Sequence, residues 1–559
     1  MRHSFRLLGL LVAAVFVAAC SQGDPNQAST WIQQLSSKDP GTQTRALEEL
    51  ARIADPSSAE AIHALLKTAQ GEVKLQAVRT LRKLGQKSSV PALLEAIVHG
   101  APAGTDPATK LVNETNKEIA ETLGELRDPA AVDGLMRLAR ESKDAYVRVA
   151  AVVALGQIGD RRAVDVLVQV ATDEAEETYV NKKAVQALGD LGDPRAVPAI
   201  KKMLFHERRG VSFYPEASFA AYQIGPQVAE PLLTVLAGQD QALNEWADRN
   251  NIKREALYIK AAEILGDLGE RRAIPMLIQN LSYHPPGLDP EIVDAFALLV
   301  RRNAAIALGK MRAKEAIPAL GKAATTEEEG NIRAVYAEAL VSIGDRSALP
   351  HLVKCAQEGD PMDKTIHARK GCYVALSKLG DEKTLALWEK WEKEEPQLST
   401  NACMKKMVWS NEAGKKAAEE HCKQLAEEVV KVIQENKPRL VAYGECRENV
   451  DCWIGKLKDS NKLVRERAAI ELGRLGDPKA IGPLMETLRD NDLEPRFAAI
   501  TSTDWLVSNS KDALEAAKKG LPALDAQIAE EQGKVHFARV NEDLKRLAVK
   551  IRRLDRNGG

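Results

Sequence analysis

The sequence predicts an all-α protein, an α-solenoid of stacked two-helix repeats. Three observations predict it. A short phrase recurs along the chain, apolar residues recur at helical spacing within its copies, and aromatic residues make up only 4% of the 559 residues. Small aliphatic side chains suit close helix packing, and stacked units complete a core that one helix pair cannot form alone.

The amino terminus has the pattern of a signal peptide. Arg2 and Arg6 precede an apolar or small run of 13 residues, 7–19, which ends at Cys20. A helix of this length spans about 20 Å, short of the roughly 30 Å core of a bilayer, so residues 1–19 are expected to be removed. Residues 21–29 are mostly polar, and 20–29 are expected to form a flexible tether.

Residues 17–20, Val-Ala-Ala-Cys, resemble the bacterial lipobox. The resemblance implies that Cys20 receives diacylglycerol and becomes the first residue, with palmitate-type acyl chains that hold the protein on a membrane. Ser21 follows the cysteine, as in Gram-negative lipoproteins sent to the outer membrane, where the chain would face the periplasm or the surface. The alternative is an ordinary secretory peptide cut after Ala19.

The repeat phrase is Ala-Leu-Gly-x-Leu/Ile-Gly-Asp. Its clearest copies occupy residues 154–167, 187–200, 264–277 and 471–484. Eleven copies, some degenerate, occur in succession at intervals of 31 to 44 residues, except for a last gap of 96. A period of this length is typical of helical repeat arrays.

Each unit has the pattern of two helices joined by a tight turn. In one unit the first stripe has i, i+3, i+4 spacing and is formed by Val147, Ala150, Ala151, Ala154 and Leu155. Gly159 ends that helix, Asp160 can cap the next helix, and a second apolar stripe begins at Val164. We expect the second helices to line the concave, inner surface of the array and, together with the inserted loops, to form the binding surface.

These units resemble the HEAT-repeat family in its short, phycobilisome-lyase-like form, over about residues 40–395 and 455–490. The resemblance implies a repeat array over 30–395 and a terminal repeat with capping helices over 455–559. The basic segment 539–556 would then be a polar-faced cap or, alternatively, a membrane contact. It also implies a ladder between turn acids and basic residues of first helices, and the matching positions are Arg148 with Asp160, Lys183 with Asp193, Arg333 with Asp345, and Arg465 with Asp477.

Six cysteines lie within 98 residues, in and around a segment, 396–454, where the repeat phrase is lost. Outside the cytoplasm an even number favours disulfides, although six cysteines allow 15 pairings. The nearest-neighbour set is our prediction: Cys355 with Cys372, Cys403 with Cys422, and Cys446 with Cys452. A metal site has less support, because the C-x-x-C spacing is absent from the sequence.

Three inserted segments depart from the ideal repeat, at 98–112, 205–217 and 279–291. The middle one carries residue types that are enriched at binding hot spots. The candidate partner-binding residues are Arg208, Arg209, Phe213 and Tyr214. The alternative is an ordinary longer connection.

Common catalytic motifs are absent from the sequence. Deoxyhypusine hydroxylases share this type of fold but need several His-Glu pairs, whereas only His206-Glu207 occurs here. Phycobilin lyases share the repeat type, but an exported lipoprotein would lie in the wrong compartment for them. We therefore expect no catalytic residues, no metal and no cofactor, and predict that the chain is not an enzyme.

The expected function is a lipid-anchored scaffold or assembly factor that binds another protein of the cell envelope. With 78 basic against 79 acidic residues, nothing points to nucleic acid. Two alternatives remain: an accessory subunit of a secretion or motility machine, and an enzyme whose site is assembled from dispersed residues.

Overall fold

The computed structural model describes residues 24–289, 292, 294–327, 329–358 and 367–557. These residues are mainly helical and form two compact units, unit 1 up to Gln227 and unit 2 from Val228 onward. Each unit is a stack of two-helix repeats, which confirms the predicted α-solenoid. Among the described residues, every helix is too short or too polar to cross a bilayer.

Unit 1 contains twelve helices and one short hairpin among its described residues. The helices are α1 Ala28–Gln34, α2 Pro40–Ile53, α3 Ala59–Leu66, α4 Gly71–Leu84, α5 Val90–Glu95, α6 Pro107–Leu126, α7 Val132–Glu141, α8 Ala145–Ile158, α9 Val164–Thr172, α10 Thr178–Leu191, α11 Val197–Phe205 and α12 Tyr214–Ile224. Strands β1 Glu207–Arg208 and β2 Val211–Ser212 pair antiparallel.

Unit 2 contains seventeen helices among its described residues. They are α13 Ala229–Leu236, α14 Gln241–Arg249, α15 Arg254–Leu268, α16 Ile274–Asn280, α17 Ala295–Lys310, α18 Ile317–Thr326, α19 Gly330–Ile343, α20 Leu349–Glu358, α21 His367–Leu379, α22 Glu382–Lys406, α23 Glu412–Cys446, α24 Val450–Lys456, α25 Lys462–Leu475, α26 Ile481–Thr487, α27 Leu493–Asn509, α28 Lys511–Glu531 and α29 Ala538–Asn557.

One repeat, α8 with α9, illustrates why the helices begin and end where they do. The Asp144 carboxylate accepts hydrogen bonds from the backbone N–H groups of Tyr146 and Val147 and so caps α8. Gly159, with φ of 76°, ends that helix in the left-handed conformation. Asp160 then caps a 3₁₀ turn, Arg161–Ala163, which leads into α9.

First helices of successive repeats pack side by side through small residues. A Cβ atom added to Gly156 of α8 would lie 3.1 Å from the Cβ of Ala187 on α10. Leu155, Leu167 and Leu188 are fully buried around this contact. Each buried leucine contributes about 2 kcal/mol of hydrophobic stabilisation, so every repeat depends on its neighbours for its core.

In unit 2 the first helices of early and late repeats face each other. Asp267 at the end of α15 pairs with Arg546 of α29, 279 residues later. Arg312, just after α17, donates a hydrogen bond to the carbonyl of Gly473 on α25. The expectation that second helices form the inner surface is therefore wrong for unit 2, because its repeats curl toward their first helices.

The basic carboxy-terminal helix α29 packs into unit 2. Its apolar residues are buried in the core that it shares with α27 and α28: Val540, Leu544, Leu547, Ala548 and Ile551. Several of its basic side chains pair with acids of the same unit, as Lys550 does with Asp504 at 2.6 Å and Arg552 does with Asp525. These contacts are those of a helix that caps a repeat stack.

Candidate functional site

Two exposed tyrosines form an aromatic patch on unit 1. The side chains of Tyr146 and Tyr179 are 68% and 40% exposed, and their ring centroids lie 6.0 Å apart. Each is the second residue of a first helix, in α8 and α10 respectively. Because successive first helices lie side by side, residues at equal positions come together at one edge of the stack.

The loop before α10 holds this edge in place. Both N–H groups on one side of the Arg148 guanidinium donate to the Glu176 carboxylate, at 2.5 and 2.7 Å. A two-point contact of this kind fixes orientation as well as distance. The Asn181 side chain donates to the carbonyls of Val170 and Asp173, so the loop is fastened from both sides.

A hairpin, β1 with β2, lies against the same loop. Its Arg208 guanidinium donates to the carbonyls of Asp173, Glu174 and Glu176 and to the Asn181 side chain. These bonds tie the hairpin to the loop beside Tyr179. The hairpin is therefore part of the fixed edge.

Arg209 occupies the tip of this hairpin. It and Gly210 both have positive φ, 52° and 73°, as a two-residue type I′ turn requires. Arginine is uncommon in this conformation, and its side chain is exposed. We call Tyr146, Tyr179 and Arg209 the tyrosine edge.

Two of the four predicted partner-binding residues serve the fold instead. Phe213 is 1% exposed and packs in the core beside His206, since it precedes α12 and faces inward. Arg208 fastens the loop before α10. Tyr214 is partly buried at the start of α12, which leaves Arg209 as the fully exposed member of the set.

The predicted charge ladder has different partners. In three of the four predicted pairs the two residues are twelve positions apart in sequence and lie at opposite ends of the same first helix. At 1.5 Å per residue they are about 18 Å apart. These pairs are Arg148 with Asp160, Arg333 with Asp345, and Arg465 with Asp477. Arg148 pairs instead with Glu176, Arg465 with Asp490 and Asp492, and Arg333 donates to the carbonyl of Glu327. Lys183 donates to Gln186, while Asp193 pairs with Arg195.

The turn acids cap the 3₁₀ turn that comes directly after them. Asp160, Asp193, Asp345 and Asp477 each accept a 2.9 Å hydrogen bond from the backbone N–H two residues later. Basic residues of these turns reach neighbouring repeats: Arg162 pairs with Asp133 at 3.4 Å and Lys314 with Asp345 at 2.7 Å. A ladder between repeats therefore exists, but it runs from turn to turn and from first helix to the next loop.

Three disulfides cross-link unit 2: Cys355–Cys372, Cys403–Cys422 and Cys446–Cys452. They are the nearest-neighbour pairs expected from the cysteine separations. The second bridge joins the long helices α22 and α23, which pack against each other where the repeat phrase is lost. The candidate lipidation residue, Cys20, lies outside the described residues.

The family model for "HEAT repeats" matches residues 28–105, 113–178, 140–212, 292–368 and 450–531. The chain belongs to the HEAT-repeat family. A second model, "PBS lyase HEAT-like repeat", matches residues 257–283 of this chain. The matches cover more than half of the chain, in line with the repeat phrase.

Several known proteins are similar to this chain over part of its length. Bilin biosynthesis protein PecE of Mastigocladus laminosus is 28% identical over 226 residues, 40% of this chain and 75% of the relative. Among solved structures, importin beta is 12% identical with a TM-score of 0.45, over 89% of this chain and 72% of its own. The CpcE–CpcF complex of phycocyanin lyase from a Nostoc species is 23% identical with a TM-score of 0.25, over 49% and 93%.

The relative from Mastigocladus laminosus overturns the prediction that the HEAT-repeat chain is not an enzyme, since that relative is a bilin biosynthesis protein. The absence of short catalytic motifs from a sequence does not exclude catalysis by a repeat array. A repeat array brings together residues from distant units, and such a site leaves no local motif in the sequence.

Sequence reasoning missed both tyrosines of the tyrosine edge. A signal was present: Tyr146 and Tyr179 are 33 residues apart, the repeat period of that region. Equal positions in successive repeats predict neighbouring side chains on one edge.

Proposed function

We propose that this HEAT-repeat chain is a scaffold that binds another protein of the cell envelope through the tyrosine edge of unit 1. The observation that carries the proposal is the neighbouring, exposed pair Tyr146 and Tyr179 on a rigid repeat. Tyrosine provides a large contact area with little loss of side-chain entropy, and tyrosine and arginine are enriched at binding hot spots.

The surroundings of this edge favour a preorganised surface. Arg148 and Arg208 hold the loop before α10 through charge-assisted hydrogen bonds. Partial burial and the neighbouring Tyr146 and Glu177 raise the pKa of Tyr179, so its hydroxyl remains a hydrogen-bond donor at neutral pH. A fixed surface loses less entropy when a partner binds than a mobile one does.

The proposed location is the outer membrane of a Gram-negative bacterium, with the chain held by lipid on Cys20 and facing the periplasm or the surface. The apolar run 7–19 before Cys20 supports export. Three disulfides in unit 2 support an oxidising compartment, because such bridges are rare in the cytosol.

The anchor is tested with a Cys20→Ala variant. We expect the parent chain to incorporate labelled palmitate and to sediment with membranes, and the variant to do neither. Equal membrane retention of the two forms would contradict the anchor and leave the binding surface untouched.

The binding surface is tested by quantitative affinity purification with a Tyr146→Ala/Tyr179→Ala double variant. A matched control is Trp409→Ala, which removes an aromatic side chain that is 39% exposed on unit 2. We expect the double variant to recover at least about tenfold less of the specific partner, the effect of losing two hot-spot residues. Unchanged recovery by the double variant, with unchanged helicity, would reject the tyrosine edge. Recovery at fixed stoichiometry with a larger assembly would favour the accessory-subunit alternative.

A second candidate function, catalysis on a bilin pigment, is favoured by the similarity to the bilin biosynthesis protein. Incubation of the purified chain with a free bilin tests it. A new visible absorption band that grows beyond one equivalent of bilin per chain would support this candidate. A spectrum equal to the sum of the two components, or a shift that saturates at one equivalent, would reject it.

A further inference from the structure

A cavity of about 290 Å³ lies inside unit 2, where first helices of early and late repeats face each other. Its walls come from α19 and α21 on one side and from α25 and α27 on the other. At about 30 Å³ per water molecule, it has room for roughly ten waters. We call it the junction cavity.

Arg312 lines this cavity from an unusual backbone position. It comes after α17 with φ of 48°, where other repeats place a glycine such as Gly159 or Gly344. A side chain in this left-handed conformation strains the backbone. Strain of this kind clusters at functional sites, where a specific side chain is needed.

Two uncharged groups hold the Arg312 guanidinium in place. It lies 4.4 Å from the ring centroid of Trp505, and its Nη1 donates to the Gly473 carbonyl at 3.1 Å. Within the part of the chain that the structure describes, no carboxylate lies within ion-pair distance of it. Burial lowers the pKa of Arg312 to about 10, although the nearby Asp504 carboxylate, which pairs with Lys550, favours the charged form. Arg312 is therefore a poorly solvated cation at neutral pH.

The other cations of the cavity wall have acidic partners. Lys378 pairs with Glu338 at 2.9 Å and with Glu466 at 3.2 Å. Arg474 pairs with Glu471 at 2.7 Å and with Glu448 at 2.5 Å. Arg312 is thus the cation of this wall whose charge a bound anion would balance.

The remaining wall restricts which anion fits. Val341, Ile470 and Phe497 supply apolar surface, while Glu338, Glu466 and Glu494 supply carboxylates that repel a multiply charged anion. The planar guanidinium group of arginine can donate two parallel hydrogen bonds to one carboxylate group. We propose that the junction cavity binds a small organic monocarboxylate, whose carboxylate pairs with Arg312 while its apolar body lies against Phe497 and its neighbours.

Calorimetric titration of the full chain with 3-phenylpropionate tests this site, with 3-phenylpropanamide as the neutral compound of the same shape. We expect saturable binding of the acid below about 10 mM and binding of the amide weaker by at least about tenfold, because a lost charge pair costs a factor of that order. Equal binding of the two compounds, or no binding of the acid in this range, would overturn the proposal.

The matched variants are Arg312→Gly and Arg127→Gly. Both variants replace an arginine in the left-handed conformation with glycine and so remove backbone strain. Arg127 has φ of 50° at the same repeat position as Arg312 but is exposed on unit 1. We expect both variants to melt at or above the temperature of the parent chain, and only Arg312→Gly to lose affinity for 3-phenylpropionate, by at least about tenfold. Retained binding by a folded Arg312→Gly would overturn the assignment.

Discussion

Arg467 and Glu471 form an ion pair at 2.6 Å on α25, and both side chains are completely excluded from solvent. The same guanidinium donates to the carbonyls of Ser377 and Gly380 at the end of α21. One buried cation thus connects two first helices of unit 2 that are about ninety residues apart.

Removing the Glu471 carboxylate of this pair is expected to destabilise the fold strongly. Glu471→Ala leaves Arg467 charged in the core, so we expect a loss of about 3–5 kcal/mol in the free energy of unfolding. The matched control is Glu141→Ala, which breaks an Arg–Glu pair of the same spacing with Arg137 at more than half exposure. Its expected cost is about 0.5 kcal/mol, and chemical denaturation of the two variants measures the difference. Similar losses would contradict the role assigned to Arg467.

Close packing of first helices is tested by adding one methyl group. In Gly189→Ala the new Cβ would lie 2.8 Å from the Ala220 Cα, so we expect a loss of about 1–3 kcal/mol. In Gly444→Ala, within α23, the new Cβ meets open space, and higher helix propensity should add about 0.5–1 kcal/mol. Thermal unfolding of both variants shows whether each substitution lowers or raises the stability of the fold. A stabilised Gly189→Ala would show that these helices can separate at little cost.

The bridge Cys403–Cys422 restrains two helices that lack the regular repeat. Its partners are 19 residues apart, and closing a loop of that length contributes about 3 kcal/mol in the chain-entropy model. We expect the double variant Cys403→Ala/Cys422→Ala to unfold at lower denaturant concentration than the parent. Reductant should lower the stability of the parent more than that of the variant, whereas equal effects would show that this bridge contributes nothing.

Acid is expected to weaken the turn ladder at Asp345. Its bonds with Lys314 and the Ser347 N–H lower the pKa of this carboxyl from 3.8 to about 2. A lowered folded-state pKa stabilises the fold above pH 4, and the contribution is lost as pH falls toward 2. Because Lys314 is 71% exposed, solvent screening reduces the contribution to about 1 kcal/mol.

The variant Asp345→Asn keeps an oxygen for the Ser347 N–H but removes the charge. We expect it to be about 1 kcal/mol less stable than the parent at pH 7, and the difference to be roughly halved at pH 3. Denaturant titrations at several pH values measure this gap. A gap that stays constant between pH 7 and pH 3 would rule out the charge on Asp345 as its source.

Local patterns predicted the helix pairs of this chain well. The spacing of Val147, Ala150 and Leu155 identified α8, and the turn glycine and aspartate placed its end. These signals succeed because helix caps and turns depend on neighbours in sequence. The cysteine separations likewise led to the three bridges that the structure contains.

Local sequence patterns did not predict the contacts between residues that are distant in sequence. Arg148 was assigned to Asp160 because of its place in the family motif, yet helix geometry puts the two at opposite ends of α8. Phe213 was predicted to contact a partner because of its residue type. Its side chain is instead buried by the tertiary packing around the hairpin. The junction cavity joins Arg312 with Phe497, a pairing that no spacing in the sequence indicates.

The most direct test of protein binding at the tyrosine edge is site-specific photocrosslinking in cells. A photoreactive residue is placed at Tyr146, at Tyr179 or, as a control, at Gln157, which is exposed at the opposite end of α8. We expect one and the same envelope protein to be captured at both tyrosine positions and not at Gln157. Capture that is equal at Gln157, or absent at both tyrosines, would contradict it.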